Sequence, residues 1–89
     1  MGLESYTHPD FWKCYNNLPK DIQKLADKKF ELFKNNPYHT SLGFTKKGSV
    51  WTADVGYHYR AIGYKQDHNT IIWFWIGSHE DYNILMNRL

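Results

Sequence analysis

Apolar residues in the first third of the chain recur at helical spacing. Phe11, Cys14, Tyr15 and Leu18 stand at i, i+3, i+4 and i+7, one face of a helix over "THPDFWKCYNNL". Thr7 offers its cap, with Asp10 three residues on and Pro9 in the first turn. After a break at "NNLP" the pattern returns in "PKDIQKLADKKFELFKNN", where Ile22, Leu25, Ala26, Phe30 and Phe33 form a second stripe. Pro19 opens this helix, Asp21 suits its positive end, and Asn35-Asn36-Pro37 ends it. The connection is so short that the two helices form a hairpin.

From Leu42 the period changes to two. "SLGFTKKG" reads as a strand ending in a turn at Gly48, with Lys46 and Lys47 in that turn. "SVWTADV" alternates Trp51, Ala53 and Val55 against Val50, Thr52 and Asp54. "GYHYRAIGYK" follows a tight connection at Gly56-Tyr57, "QDHN" makes a turn, and "TIIWFWI" is the last strand. Short connections make antiparallel hairpins. The last strand places Ile72, Phe74 and Ile76 on one side and Ile71, Trp73 and Trp75 on the other. Both sides are apolar, so layers must cover both. The helical hairpin covers one. The other falls to "SHEDYNILMNRL", where Ser78 caps a short helix, Asp81 stands at the third position, and Tyr82, Leu85, Met86 and Leu89 form its stripe. The expected fold is α+β: an N-terminal helical hairpin on an antiparallel sheet of about four strands, with a short C-terminal helix.

Composition narrows the class. Eighty-nine residues make a single domain, 1–89, whose modest core leans on large side chains; 18% of the residues are aromatic. The chain has no apolar run long enough for a membrane span, and "MGLESYTHPD" lacks the basic and hydrophobic regions of a signal peptide. Cys14 is the single cysteine, so it forms neither an internal disulfide nor a zinc cluster. A cytoplasmic protein is expected. The net charge of +2 permits contact with nucleic acid without demanding it.

Candidate chemistry gathers at the end of the last strand. Gly77 closes a buried strand and Ser78 begins a helix, so His79 is held between two rigid elements. Free backbone N–H groups in a first helical turn favour anions and bias the ring toward its neutral form. A neutral imidazole beside a phosphate can act as a base. Counting outward from a turn centred between Asp67 and His68 sets Arg60 opposite Trp75 and His58 opposite Gly77, with His58 on the same face as Arg60. Arg60, His58 and His79 are thus expected to be neighbours.

"LPKDIQKLADKKFELFKNNP", "VWTADVGYHYRAIGY" and "WFWIGSHEDYNIL" together resemble the RelE/ParE superfamily of toxins from type II toxin–antitoxin systems. The resemblance spans about Phe11 to Leu85; "YRAIG" and "IGSHEDY" are its most specific parts. It implies a helical hairpin on an antiparallel sheet, matching the periodicity. It also implies a cognate antitoxin as partner and, in many members, ribosome-dependent cleavage of mRNA; the ParE branch instead inhibits DNA gyrase. Arg60 matches the strand arginine that contacts the scissile phosphate in nuclease members. His79 lies where members place a basic or histidine side chain, and Tyr82 falls near a C-terminal catalytic tyrosine. RelE carries two lysines on the strand before the arginine, where this chain has Thr52 and Asp54. Lys46 and Lys47 are the candidate RNA-binding replacements.

Cleavage through the 2′-hydroxyl of RNA needs a base, cations facing the phosphorane and an acid for the leaving oxygen. Arg60 offers a planar fork to phosphate, His79 the base, and His58 an acid or second base. No metal or other cofactor is called for. Plainer roles stand beside these: Arg60 as ion-pair partner of Asp54, Tyr82 as packing, Lys46 and Lys47 as solvated turn residues, and His58 and His68 as surface histidines. Three functions follow: an mRNA endonuclease, a non-enzymatic gyrase inhibitor, and a module that only binds antitoxin.

Overall fold

A computed structural model describes residues 3–88. The order is β1 (Glu4–Thr7), α1 (Pro9–Asn16), α2 (Lys20–Asn35), a short 3₁₀ turn (Thr40–Leu42), β2 (Thr45–Lys47), β3 (Val50–Val55), β4 (Tyr59–Asp67), β5 (Thr70–Ser78) and α3 (His79–Arg88). The fold is α+β, as the periodicity predicts. One sheet in the order β1-β5-β4-β3-β2 carries α1 and α2 on one face and α3 on the other. Among the described residues no helix is long and apolar enough to cross a membrane.

The sheet has five strands rather than four and is mixed rather than antiparallel. The added strand, β1, runs parallel to β5 from Glu4↔Thr70 to Thr7↔Trp73. It contains no Val, Ile or Leu, so local pattern gives no sign of it. Its anchor is tertiary: Trp73 Nε1 donates to Ser5 Oγ at 2.9 Å. Because Thr7 ends β1, the cap of α1 passes to His8, whose Nδ1 accepts from the Asp10 amide at 3.0 Å. Leu42 belongs to the 3₁₀ turn, and β2 starts only at Thr45, so Lys46 and Lys47 are strand residues and the turn is Gly48-Ser49.

The helices dock through aromatic rings. Trp73, 1% exposed, meets Phe33 edge-on at 5.4 Å and Phe30 at 6.2 Å. Phe11 meets Phe30 at 5.2 Å in the same manner. Offset and edge-to-face pairs of this kind add to simple burial. Ala53, Val55, Ala61, Ile71 and Ile76 complete this layer. On the opposite face Tyr82 of α3 packs with Val50, Ile62, Phe74 and Trp75.

β5 departs from strict alternation. Ile62 pairs with Trp75 and Gly63 with Trp73, which leaves Phe74 as an extra residue in a bulge. Trp75 therefore joins Phe74 beneath α3, and Ile76 returns to the hairpin face with Trp73. This replaces the grouping expected from period two alone. Gln66 is the matching extra residue on β4, between Lys65↔Ile71 and Asp67↔Thr70.

Thr52 is 1% exposed on the α3 face, and among the described residues its hydroxyl finds no hydrogen-bond partner. A buried unpaired hydroxyl costs about 1–3 kcal/mol. Thr52→Val removes it at nearly constant shape. Stability should rise by about 1 kcal/mol, seen as a melting temperature roughly 4–8 °C higher.

Candidate active site

The two bulges lie on opposite strands and cancel, so the register near the site depends on the turn. That turn is His68-Asn69, because Asp67 pairs with Thr70. Its centre lies one residue beyond the one counted from sequence, which moves every partner by two. Arg60 stands opposite Gly77, and Tyr59 opposite Ser78. Arg60 is thus nearer the start of α3 than the count gave. His58 falls in the β3–β4 turn, and its carbonyl accepts from the His79 amide at 2.7 Å. This bond ties the turn to the first residue of α3.

Ser78 fixes the helix start by accepting from the Asp81 amide at 3.2 Å. One turn on, Tyr82 points back to the sheet and is 4% exposed. Its ring is the floor of the site. Arg60 Cζ lies 4.9 Å from the ring centroid, a cation–π contact, and the His79 ring lies 5.8 Å from it. Arg60 also faces Asp54, its partner across β3–β4, with Nε 3.4 Å from Oδ1. The ion-pair reading of Arg60 and its place in the cluster hold together.

His79 lies 3.3 Å from Asn83 Nδ2 through its Nδ1. With the Asn83 amide nitrogen donating, the neutral ring carries its proton on Nε2 and presents a donor. With the amide turned over, Nδ1 carries the proton and Nε2 is a base. Asn83 is a site neighbour that sequence reasoning missed; its i+4 spacing from His79 is the signal that points to it. Gly77 is another. A Cβ there would lie 2.6 Å from the Trp75 ring, so glycine lets that indole lie along β5 next to the cluster.

The structure brings Arg60, His79 and Tyr82 together. The His58 side chain is exposed at the rim, joined to the cluster through its backbone. Lys46 and Lys47 are not part of it. Lys47 shares the Arg60 face, but two strands across and four residues along, roughly 16 Å by strand spacing. Lys46 pairs with Trp51 and points to the opposite face. Exposed charges so far from the cluster are largely screened at physiological salt.

The ParE-like toxin domain family matches residues 20–84, spanning α2 to most of α3. Solved structures agree in fold. The RelE–RelB complex from Pyrococcus horikoshii is similar at TM-score 0.67 and 16% identity, over 88% of this chain and 96% of that one. The toxin–antitoxin complex RelBE2 from Mycobacterium tuberculosis gives TM-score 0.70 at 13% identity, over 89% and 100%. A mutant E. coli RelE in the free state gives 0.66 at 14%, over 100% and 99%. Among curated proteins no sequence matches. Helices and a five-stranded mixed sheet closed by a C-terminal helix define the class as a RelE-like toxin fold. The chain belongs to the ParE-like toxin domain family, the RelE/ParE toxins of type II toxin–antitoxin systems.

Proposed function

We propose that this toxin is a ribosome-dependent mRNA endonuclease that inhibits translation. The observation that carries the proposal is the meeting of Arg60, His79 and Tyr82 at one helix start. Arg60 binds the scissile phosphate and offsets charge on the phosphorane. The 2′-hydroxyl gives its proton to a base and attacks phosphorus. The 5′-oxygen then leaves with a proton from an acid, producing a cyclic phosphate and a free 5′-hydroxyl. His79 is the principal acid–base group, and His58 at the rim is the second. Tyr82 holds Arg60 and His79 at their mutual spacing. Lys46 and Lys47 engage RNA away from the scissile bond. These steps use side chains alone and call for no cofactor.

The second reading is gyrase inhibition, favoured by Thr52 and Asp54 standing where RelE has lysines. Purified protein should cut mRNA in a cell-free translation reaction and leave gyrase supercoiling unchanged. The reverse result assigns it to the ParE-type activity, and silence in both assays leaves an antitoxin-binding module. We also propose a cytoplasmic site of action and a cognate antitoxin partner. Relatives from Pyrococcus horikoshii, Mycobacterium tuberculosis and Methanococcus jannaschii were solved as toxin–antitoxin complexes. Co-expression with the antitoxin should restore the growth of cells that the toxin alone arrests.

A further inference from the structure

Asp54 is engaged on two sides. Its Oδ1 faces Arg60 Nε at 3.4 Å. Its Oδ2 lies over Gly43, where a Cβ would stand 2.5 Å away. Gly43 follows the 3₁₀ turn with φ +52°, in the left-handed region. Glycine suits that conformation, and here it also makes room for the carboxylate. The β3–β4 register sets Asp54 directly opposite Arg60.

Arg60 is consequently held from three directions. Its root is fixed opposite Gly77, its Cζ lies over the Tyr82 ring, and its Nε lies 3.4 Å from the Asp54 carboxylate. The side chain is 24% exposed. With the carboxylate at Nε, the fork's two amino groups are left to engage a phosphate in two parallel hydrogen bonds. An anion beside a phosphate-binding arginine weakens attraction over distance. Its compensating effect is orientation, because a flexible four-bond side chain meets a phosphate productively in few of its rotamers.

We propose that Asp54, seated on Gly43, is a positioning residue that aims the Arg60 fork at a phosphate. The proposal rests on the reading of the Arg60–His79 cluster as a phosphate site. It differs from a charge-balancing role, in which removing the anion would strengthen the site, and from a proton-transfer role, in which the charge itself would be needed.

Asp54→Ala and Asp54→Asn distinguish these roles. On mRNA-programmed ribosomes, Asp54→Ala should lower kcat by about 10- to 100-fold with little change in KM, the scale of a misaligned catalytic group. Asp54→Asn keeps an acceptor oxygen in place and should recover most of the rate with an unchanged pH profile. Faster cleavage by both variants, or an equal loss in both with an altered pH profile, overturns the proposal.

A second measurement needs no cleavage. In ¹⁵N-edited NMR the Arg60 Nε resonance of the intact toxin should be shifted from that of free arginine. Asp54→Ala and Gly43→Ala should both return it toward free arginine. An Arg60 signal unchanged in Asp54→Ala overturns positioning. If the parent protein cuts no RNA, the nuclease reading fails, and the NMR result still decides for or against Asp54. Melting curves of each variant verify that the fold is retained.

Discussion

Arg60→Ala and His79→Ala should each reduce mRNA cleavage by roughly 10²-fold or more, the usual scale for losing a charge-stabilising or acid–base group. The two losses differ in kind. Arg60→Ala removes the cation that faces the phosphate, and it also leaves the Asp54 carboxylate without its partner 3.4 Å away. Weaker RNA binding and slower turnover should both follow, and Arg60→Lys should rescue poorly because a point charge cannot reproduce the planar fork. His79→Ala leaves Arg60 and Tyr82 in place, so RNA binding should persist while turnover falls. The His79 amide bond to the His58 carbonyl is backbone and survives either substitution. Both variants should therefore stay folded. The decisive comparison is toeprinting of cleaved mRNA beside a thermal melt. Full cleavage by a well-folded Arg60, His79 double variant would defeat the nuclease reading and leave gyrase inhibition or antitoxin binding.

Trp73→Ala should have the largest effect on stability. Its indole contacts rings from α2 and Phe44, and its N–H holds β1 through Ser5. Truncating a buried tryptophan costs about 3–5 kcal/mol. Small domains have total stabilities near the lower end of about 5–15 kcal/mol. The variant should thus be largely unfolded at physiological temperature, with β1 detached first. Trp73→Phe keeps most of the packing but forfeits the bond to Ser5. Denaturant titration followed by hydrogen exchange at Glu4 and His8, whose amides donate to the Asn69 and Trp73 carbonyls, would report both effects. A cooperative, native-like transition for Trp73→Ala would show that Trp73 is not the hub of the core.

The particular elements show how far local information reaches. Both helices of the hairpin were legible because their stripes, Phe11 to Leu18 and Ile22 to Phe33, state which face is buried. The three C-terminal strands were legible because glycine turns at Gly48 and Gly56 punctuate period-two runs. The Arg60–Asp54 pair was also within reach, since a short turn forces those two residues opposite each other. The C-terminal helix followed from the Ser78 cap and the need to cover a second apolar face.

β1 was out of reach: a four-residue, mostly polar strand becomes one only by pairing with a segment more than sixty residues away. The face exchanged between Trp75 and Ile76 was equally hidden, because a bulge depends on how two strands fit, and neither strand encodes it alone. The same holds for the seat that Gly43 gives Asp54 and for the Trp75 ring across Gly77. Sequence alone determined the three helices and the four strands that follow the hairpin, their order, the two-sided burial of the last strand and the types of side chain at its end, because these depend on residues a few positions apart. Only the tertiary structure decided the fifth strand, the register that sets Arg60 opposite Gly77, and the exclusion of Lys46 and Lys47 from the cluster. Those outcomes depend on long-range pairing and packing, whose free energies are shared among segments distant in the chain.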